Sequence, residues 1–531
     1  MREFFAAALD NISNFGDTDI FPFPFESYVL RDKKDQVVEL LLKAFSDFGT
    51  EFIENAPSHI NVLVPVGLAG FRLATQLDPI WNSFLLGITL SIAHRIEHAR
   101  IDMQRGSVFS YRVADAFDGG GIFRTDINWR HFISRSIELA KEKNYVVMCD
   151  ISDCYQRIPH HRLENALRQV DGTSAAPAYI MEILGHFSNG RSYSLPVGGP
   201  AARILAECVL DLTDQLLKSY QISFTRYADD YHMFVDSLDE AYDRLIFLSE
   251  KLIRNEGLAL QKSKTRIMSS AEFVSAQTLM LMPEEEDINT DIRHLFSLNL
   301  RYDPYSATAD QDYENLKDEL DKIDIIGILN RELAKTRVHG AVTKRVVQAI
   351  RYLDAATRQD AILTLIGNLD TLYPIFPVVA FAVKSCFGSL HMSAQEEVCT
   401  ALRERVLAGS FLVSTELHAS YAIRILADLK RPENVDAIVH LHKKFANPIV
   451  RRDVILAMAR WGEFAWLSDL MNDYHGMSPW ERRAFIVASY TLKDAGKKWR
   501  DRTKRRFSPL ELMVRDWASE RFSQKDWAIP L

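Results

Sequence analysis

The stretch RYADDYHMFV, residues 226–235, places Asp229 and Asp230 side by side between apolar and aromatic residues. Its surroundings, SFTRYADDYHMFVDS at 223–237, predict a strand, a tight turn and a second strand. Adjacent carboxylates repel each other, so the pair is unfavourable at a hairpin tip unless a cation offsets the charge. Aspartate is also a common turn residue, which is the simpler explanation for either one alone.

A third aspartate gives the pair a chemical interpretation. NYVVMCDI at 144–151 is apolar and rich in valine, which predicts a buried strand with Asp150 at its end. Three carboxylates at the tips of neighbouring strands would form a pocket that needs a divalent cation, and hard oxygen ligands suit Mg²⁺. Two such ions can activate an attacking 3′-hydroxyl and stabilise a pyrophosphate leaving group.

The composition describes a folded chain of several domains. The chain has 531 residues, of which 47% are hydrophobic and 25% charged, and this size favours two to four domains. Five scattered cysteines without a CxxC pair predict neither a disulfide framework nor a zinc site, and favour a reducing cytoplasm. We expect no signal peptide and no membrane span, because the most apolar stretch, 84–93, is far shorter than the roughly 20 residues needed.

The net charge restricts how the chain can contact nucleic acid. A formal charge of −8 means that phosphate contacts must rely on local basic surface. One candidate is KKWRDRTKRR at 497–506, for which a solvated helix face with a cationic end is an equally good explanation.

Two regions of the chain differ in pattern. Residues 1–285 mix apolar strands, helices and turns, including a predicted strand in GSVFSYRV at 106–113, and indicate an α+β fold. After the acidic, linker-like PEEEDINTD at 283–291 the pattern is helical. Amphipathic segments begin at 346, 378, 421, 454 and 485, and three of the four intervals are near 32 residues. This spacing predicts an all-α, HEAT-like helical-repeat domain at 292–531, with an irregular helical bundle as the alternative.

Four blocks of sequence resemble a known enzyme family. VVMCDISDCYQRIPHHRL (146–163), LPVGGPAARILAE (195–207), RYADDYHMFV and EGLALQKSKTRIM (256–268) resemble motifs A, B, C and D of reverse transcriptases, in the family's order. The resemblance implies right-hand polymerase fingers and palm, with the helical repeats in place of a conventional thumb. It also implies a nucleotidyltransferase, either an RNA-directed or a template-independent DNA polymerase that uses dNTPs.

The resemblance assigns roles around the carboxylates. Asp150, Asp229 and Asp230 are similar to the family's metal ligands, with the Ile151 carbonyl as a further ligand. The implied cofactor is a pair of Mg²⁺ ions, with Mn²⁺ as the alternative. Lys264 resembles the motif D lysine, which would protonate or stabilise the departing pyrophosphate, although a surface lysine is the simpler explanation.

Further positions correspond to the nucleotide-binding residues of the family. Tyr155 stands where the family places an aromatic that would clash with a ribose 2′-hydroxyl; a core tyrosine is the alternative. Gly198 and Gly199 would permit close backbone approach to the nucleotide or template, or form a simple helix-entry turn. Arg112 resembles the basic fingers residue that holds the triphosphate, and Arg124 is a second candidate, since arginine binds phosphate in bidentate fashion.

Further stretches of the sequence resemble one particular branch of the reverse transcriptase family. FPFPFESYVL (21–30), IEHARI (96–101), VFSYR (108–112) and the GGPAAR form of motif B resemble the bacterial abortive-infection and defence-associated branch. Members of this branch protect bacteria against phage, some by untemplated synthesis of single-stranded DNA or by priming on a protein tyrosine, and often as trimers or hexamers. The implied function is addition of dNTPs to a 3′-hydroxyl or a protein hydroxyl by a homo-oligomer in antiphage defence.

Two alternatives stay open at this point. One is a templated reverse transcriptase that copies a dedicated noncoding RNA. The other, from a different class, is a non-catalytic interaction scaffold that uses the helical repeats as a binding surface.

Overall fold

The computed structural model describes residues 1–54, 57–67, 70–188, 190–281, 323–334, 340–525 and 527–531, together with 295, 298, 316, 317 and 320. The predicted linker at 283–291 lies outside the described residues. The chain divides into two compact units, Met1–His59 with Thr75–Glu284, and Ile60–Ala74 with Glu285–Leu531. In the described residues no helix is both long enough and apolar enough to cross a membrane, and the five cysteines are free and buried.

A four-stranded antiparallel sheet forms the centre of the first unit. Its spatial order is β4-β5-β3-β6, and β1 and β2 form a separate two-stranded sheet. Apolar side chains of α6 and α12 cover the sheet, with Phe132, Val146, Phe234 and Phe273 in one buried cluster. The strands are β1 (His59–Pro65), β2 (Phe71–Leu77), β3 (Tyr145–Asp150), β4 (Phe224–Tyr227), β5 (Asp230–Val235) and β6 (Arg266–Ser269).

Helices of the first unit pack against this sheet, and others precede its strands in the chain. The periodicity of 79–101 predicts a helix, and the structure has one, which begins at Pro79, a residue suited to the first turn. The helices are α1 (Arg2–Phe15), α2 (Glu26–Asp32), α3 (Lys34–Ser46), α4 (Phe48–Glu54), α5 (Pro79–Ala99), α6 (Trp129–Lys141), α7 (Cys154–Arg157), α8 (His160–Val170), α9 (Ala176–Phe187), α10 (Pro200–Ser219), α11 (Leu238–Lys251) and α12 (Ser270–Leu281).

The strand predicted at 106–113 is wrong. The segment forms only isolated bridges, Val108 with Arg226 and Val113 with Phe123. Tyr111 between them has a φ of 44°, a left-handed conformation that no regular strand contains.

In the part that the structure describes, the regular elements of the second unit are helices, apart from its share of the β1–β2 hairpin. Helices α14, α16, α18, α20, α22 and α24 pack in succession as one row, and α15, α17 and α19 as another. The helices are α13 (Ile325–Leu333), α14 (Gly340–Ala349), α15 (Ala355–Gly367), α16 (Phe376–Cys386), α17 (Met392–Leu407), α18 (Glu416–Leu426), α19 (Pro432–Lys444), α20 (Pro448–Trp461), α21 (Phe464–Leu470), α22 (Pro479–Ala488), α23 (Lys493–Thr503) and α24 (Pro509–Phe522).

Several side-chain contacts between these helices join residues that lie slightly more than 30 positions apart in the chain. Hydrogen bonds join residues 31 positions apart in Arg403–Asn434, 32 apart in Arg460–Asp428 and 33 apart in Ser420–Asp453. These three intervals are close to the spacing of about 32 residues read from the sequence, whereas other contacts between the helices span 29 residues in Arg424–Asp453 and 44 in Lys384–Asp428.

Candidate active site

The β4–β5 hairpin closes with a two-residue turn, Ala228 and Asp229, between the paired residues Tyr227 and Asp230. Ala228 has a φ of 53°, and such two-residue hairpins require a left-handed residue because their twist must match that of the strands. The turn is therefore held in an unfavourable conformation for a non-glycine residue. It leaves one aspartate in the turn and the next at the first position of β5.

Strand β3 brings the third aspartate to the same place. Asp150 is the cross-strand partner of Asp230 in the antiparallel register. The Ile151 amide donates a 3.0 Å hydrogen bond to the carbonyl of Asp229, and the Asp150 carbonyl accepts one of 2.7 Å from Gln261. The structure thus brings together the three aspartates that the sequence analysis singled out, with Ile151 beside them.

The carboxylates repel each other in a partly dry setting. Burial raises the pKa of Asp230 to about 7, and the charges of Asp229 and Asp150 add to that shift. Burial also raises the pKa of Asp229, with a further contribution from Asp150. Both shifts mean that the ionised pocket holds more negative charge than its surroundings stabilise.

One lysine partly compensates this charge. The Lys264 ammonium lies 2.6 Å from Oδ2 of Asp150, and its side chain is 63% exposed. Burial lowers the pKa of Lys264, but the hydrogen bond to Asp150 and the charges of the other two aspartates outweigh this effect, so the pKa is raised. The lysine is therefore protonated and sits at the mouth of the pocket.

The donor set suits a divalent cation, although the geometry is not preformed. Carboxylate oxygens are the ligands that Mg²⁺ prefers, and the raised pKa of Asp230 reflects uncompensated negative charge. Among the residues that the structure describes, however, no group of three or more His, Cys, Asp or Glu side chains is arranged to hold a metal ion. Lys264 occupies one oxygen of Asp150 instead, so cation binding there requires its ammonium to move away.

A cavity of about 220 Å³ adjoins the carboxylates. Burial lowers the pKa of His232 in its wall to about 3, so this imidazole is neutral and adds no charge. Arg266 places a second cation near Lys264. The lining residues are Met148, Cys149, Asp150, Asp230, His232, Lys264 and Arg266.

Residues 92–296 match the family described as reverse transcriptase (RNA-dependent DNA polymerase). The chain contains a reverse transcriptase domain. The matched segment includes β3, the β4–β5 hairpin and β6, and therefore all three aspartates and Lys264. It covers less than half of the chain, and no curated protein matches the sequence.

Solved telomerase structures resemble the chain only weakly. The telomerase of Candida albicans in complex with the TWJ fragment of telomeric RNA is 12% identical, with a TM-score of 0.30 over 73% of this chain and 68% of that one. The apo telomerase of Candida tropicalis is 11% identical, with a TM-score of 0.28 over 71% and 72%. Scores this low carry no argument about function.

Within the reverse transcriptase domain, Tyr155 lies close to the carboxylates. Burial raises its pKa well above the ordinary value, and nearby Asp229 contributes to the shift. The Tyr155 side chain shares a hydrogen bond with Tyr111, and its carbonyl accepts a 2.8 Å hydrogen bond from the amide of Leu195 in the glycine loop. These contacts join the Tyr155 backbone to the loop at 195–199 and its side chain to Tyr111.

Gly198 and Gly199 lie against the N-terminal segment around Asp17 and Asp19, a contact that the sequence did not predict. Gly198 has a φ of 105°, and a Cβ there would lie 2.9 Å from Oδ1 of Asp19. Arg203, one turn into α10, donates a 2.7 Å hydrogen bond to Oδ2 of the same Asp19. Gly199 caps α10, and a Cβ there would lie 3.6 Å from the carbonyl of Asp17. The N-terminal segment therefore occupies the space beside these glycines that was predicted for a nucleotide or template.

The structure does not bring Arg112 to the carboxylates. Its side chain is 1% exposed, and Nη1 donates a 2.8 Å hydrogen bond to Glu97. Nη2 donates to the carbonyl of Ile101 at 2.7 Å, and Nε to that of Val108 at 3.0 Å. The guanidinium is thus committed to protein acceptors, which leaves it no access to a triphosphate in this conformation.

Arg124 is placed differently. Its guanidinium is partly exposed and forms ion pairs of 2.7 Å with Asp126 and 3.5 Å with Asp115. Both partners are on the surface, where ion pairs are weak and exchange readily for other anions. Of the two arginines predicted to bind phosphate, Arg124 is the accessible one.

A buried ionic network under the hairpin was missed by the sequence analysis. Arg226, directly before the YADD motif, is fully buried and pairs with Glu207 at 2.9 Å and with Asp214 at 2.5 Å. Its Nη1 also donates a 2.9 Å hydrogen bond to the carbonyl of Ala228 in the turn. Burial lowers the pKa of Arg226, but the two carboxylates outweigh it and raise the pKa well above the usual value. Arg226 therefore ties the hairpin turn to α10, and Arg226 and Glu207 lie in motifs C and B, which could have pointed to this link.

Proposed function

We propose that the protein is a DNA polymerase that transfers nucleotidyl groups from dNTPs to a 3′-hydroxyl or a protein hydroxyl. The observation that carries this proposal is the meeting of Asp150, Asp229 and Asp230 on adjacent strand ends inside a reverse transcriptase domain. Two bound Mg²⁺ ions, or Mn²⁺ in their place, would activate the attacking hydroxyl and neutralise charge on the leaving pyrophosphate.

The residues of this chain have distinct parts in the proposed reaction. Asp150, Asp229 and Asp230, with the Ile151 carbonyl, hold the cations. Lys264 starts on Asp150 at 2.6 Å, and we propose that it moves to the pyrophosphate, to which it donates a proton or a hydrogen bond.

Three other positions would select and hold the nucleotide. The ring of Tyr155 would exclude a ribose 2′-hydroxyl. The loop at Gly198 and Gly199 would approach the nucleotide or template once Asp19 withdraws, and Arg124 would bind the triphosphate. Arg112 instead anchors the segment between Ile101 and Val108.

The proposal can be tested by sequencing the nucleic acid that the protein binds in cells. Full-length wild type and Asp229→Asn are purified from expressing cells, and the bound nucleic acid is sequenced. We expect DNA on the wild type and none on the variant, because the variant lacks a carboxylate needed for transfer. A homopolymer or irregular sequence supports untemplated synthesis, and a defined complement supports templated copying of a noncoding RNA. Equal DNA on both proteins would contradict the proposal and favour the non-catalytic scaffold.

We further propose a role in antiphage defence, as a cytoplasmic homotrimer or homohexamer. The support is the resemblance of 21–30, 96–101 and the GGPAAR form of motif B to the defence-associated branch. Phage plating on cells that express wild type or Asp229→Asn tests the role. We expect fewer plaques with the wild type alone; equal plating would contradict it, and native mass spectrometry measures the oligomer.

The helical unit is proposed to be HEAT-like and to replace the polymerase thumb. Two rows of helices and contacts repeating at 31 to 33 residues support this assignment. Stacked helical pairs form extended surfaces that suit the binding of a nucleic-acid strand.

A further inference from the structure

A group of unpaired cations stands out on the helical unit of a chain whose net charge is −8. The segment 497–506 contains seven cations and one carboxylate, and it forms the end of α23 and the short 3-10 helix Lys504–Arg506. We name its six exposed cations the C-terminal basic ridge: Lys497, Lys498, Arg502, Lys504, Arg505 and Arg506. We propose that this ridge binds the phosphodiester backbone of single-stranded nucleic acid, an inference that rests on the proposed polymerase function.

The ridge is not neutralised by the surrounding protein. Among the described residues, none of its six side chains has a carboxylate within ion-pair distance, whereas elsewhere in the unit Lys430 pairs with Glu463 at 2.8 Å. Arg506 alone makes a side-chain hydrogen bond, 3.1 Å to the imidazole of His475. Lys498 and Arg502 are four residues apart on one helix, a spacing at which like charges destabilise. Asp494 and Asp501, four residues from Lys498 and Lys497, offset only part of the segment's positive charge. An anionic partner would relieve this repulsion.

The ridge stands on a fixed support. Trp499 is 5% exposed and packs edge-to-face against Tyr474 at 4.9 Å and Phe485 at 5.0 Å between ring centroids. A Cβ on Gly496 would lie 1.8 Å from the carbonyl of Ser489, so the helix backbone rests directly on its neighbour. The apolar face of α23 is therefore used within the unit, and the cations face outward on a rigid element.

The burial of the neighbouring aromatic side chains indicates which class of partner the ridge binds. Binding to a membrane surface needs an exposed apolar face beside the cations, and here the segment's single aromatic, Trp499, and the adjoining Phe507 are both buried. Base stacking needs exposed rings, which the segment also lacks. What remains is contact between cations and phosphates, which is independent of sequence and strongly dependent on salt. Both a DNA product and an RNA template offer this chemistry.

Binding measured without catalysis tests the ridge. Full-length Asp229→Asn protein, without dNTPs or metal, is titrated into fluorescein-labelled single-stranded DNA or RNA of about 20 nucleotides in about 50 to 200 mM KCl, and anisotropy is recorded. The test variant adds Lys497→Gln and Lys498→Gln. The matched control adds Lys443→Gln and Lys444→Gln, another exposed adjacent pair near the end of a helix in the same unit.

We expect the test variant to bind about tenfold more weakly than its parent, and its salt dependence to be shallower by about 1.4, since each lost contact removes about 0.7 from the slope. The control should match the parent, and Lys497→Arg with Lys498→Arg should retain binding. Preference for DNA or RNA distinguishes product from template. The proposal is overturned if test and control bind alike at all salt concentrations, or if the ridge binds only anionic phosphatidylserine vesicles. Loss of dNTP incorporation by the wild type, with ridge-dependent binding intact, would overturn the polymerase proposal alone.

Discussion

The two neighbouring aspartates of the hairpin are held by different parts of the backbone. Asp230 begins β5 and faces Asp150 across the sheet, whereas Asp229 lies in the turn, with its carbonyl bonded to the Ile151 amide. The two carboxylates are therefore positioned by separate backbone elements, one by the start of β5 and one by the turn. Arg226 beneath the turn keeps this arrangement by bonding the carbonyl of Ala228.

Replacement of Tyr155 should change the choice of sugar. Tyr155→Ala removes the ring that would meet a 2′-hydroxyl, and we expect discrimination between dNTP and rNTP, measured as the ratio of kcat/KM values, to fall about tenfold or more. Tyr155→Phe keeps the ring and is the control, which should retain discrimination. An unchanged ratio in Tyr155→Ala would assign Tyr155 to the core.

Replacement of Arg112 should lower the stability of the fold, whereas replacement of Arg124 should weaken dNTP binding. Arg112→Met leaves two buried carbonyls without this donor and removes one hydrogen bond from Glu97, which keeps those from Arg100 and the Val113 amide; we expect a loss of about 3 kcal/mol in the free energy of unfolding, measured by denaturant titration. Arg124→Gln breaks only surface ion pairs and should leave the free energy of unfolding nearly unchanged, yet raise KM for dNTP. A stable Arg112→Met protein with a raised KM would restore the triphosphate role to Arg112.

The positions of the aspartates could be predicted from the sequence, but the setting of Arg112 could not. Strand ends follow from local apolar pattern, and Asp150 and Asp230 each stand at one. Arg112 is buried through acceptors at Glu97, Ile101 and Val108, whose approach depends on the tertiary path of α5 and the following loop. A single arginine in a sequence gives no sign of such acceptors.

At the scale of elements, helices α18 and α20 are joined through a buried carboxylate. Asp453 accepts hydrogen bonds from Ser420 at 2.5 Å and from Arg424 at 2.7 Å. Burial raises the pKa of Asp453, but Arg424 and Arg452 outweigh it and lower the pKa from 3.8 to about 2. The spacing of this contact could be predicted from the repeat interval, whereas its charges could not.

This carboxylate should make the helical unit sensitive to acid. A lowered folded-state pKa gives stability that is present above the unfolded value near 3.8 and is lost as pH falls toward 2. Full protonation would remove about 2 kcal/mol. We therefore expect the difference in thermal stability between wild type and Asp453→Asn to shrink from pH 5 to about pH 3. A constant difference across that range would show that the charge of Asp453 contributes nothing.

At the scale of the whole molecule, charge is divided between two kinds of site. The reverse transcriptase domain contains a pocket with surplus negative charge, and the helical unit carries a ridge with surplus positive charge, on a chain whose net charge is −8. The proposed polymerase function would use the first to hold cations and the second to bind phosphates. The composition alone could not predict this division, because it averages the two.

The most direct test is incorporation of a labelled dNTP by the purified full-length protein. Wild type is incubated with Mg²⁺ and separately with EDTA, and Asp229→Asn with Mg²⁺, after circular dichroism has shown that the variant is folded. We expect labelled polymer or labelled protein from wild type with Mg²⁺, and none in the other two reactions. Incorporation by folded Asp229→Asn at the wild-type rate, or none by wild type with either Mg²⁺ or Mn²⁺, would contradict it.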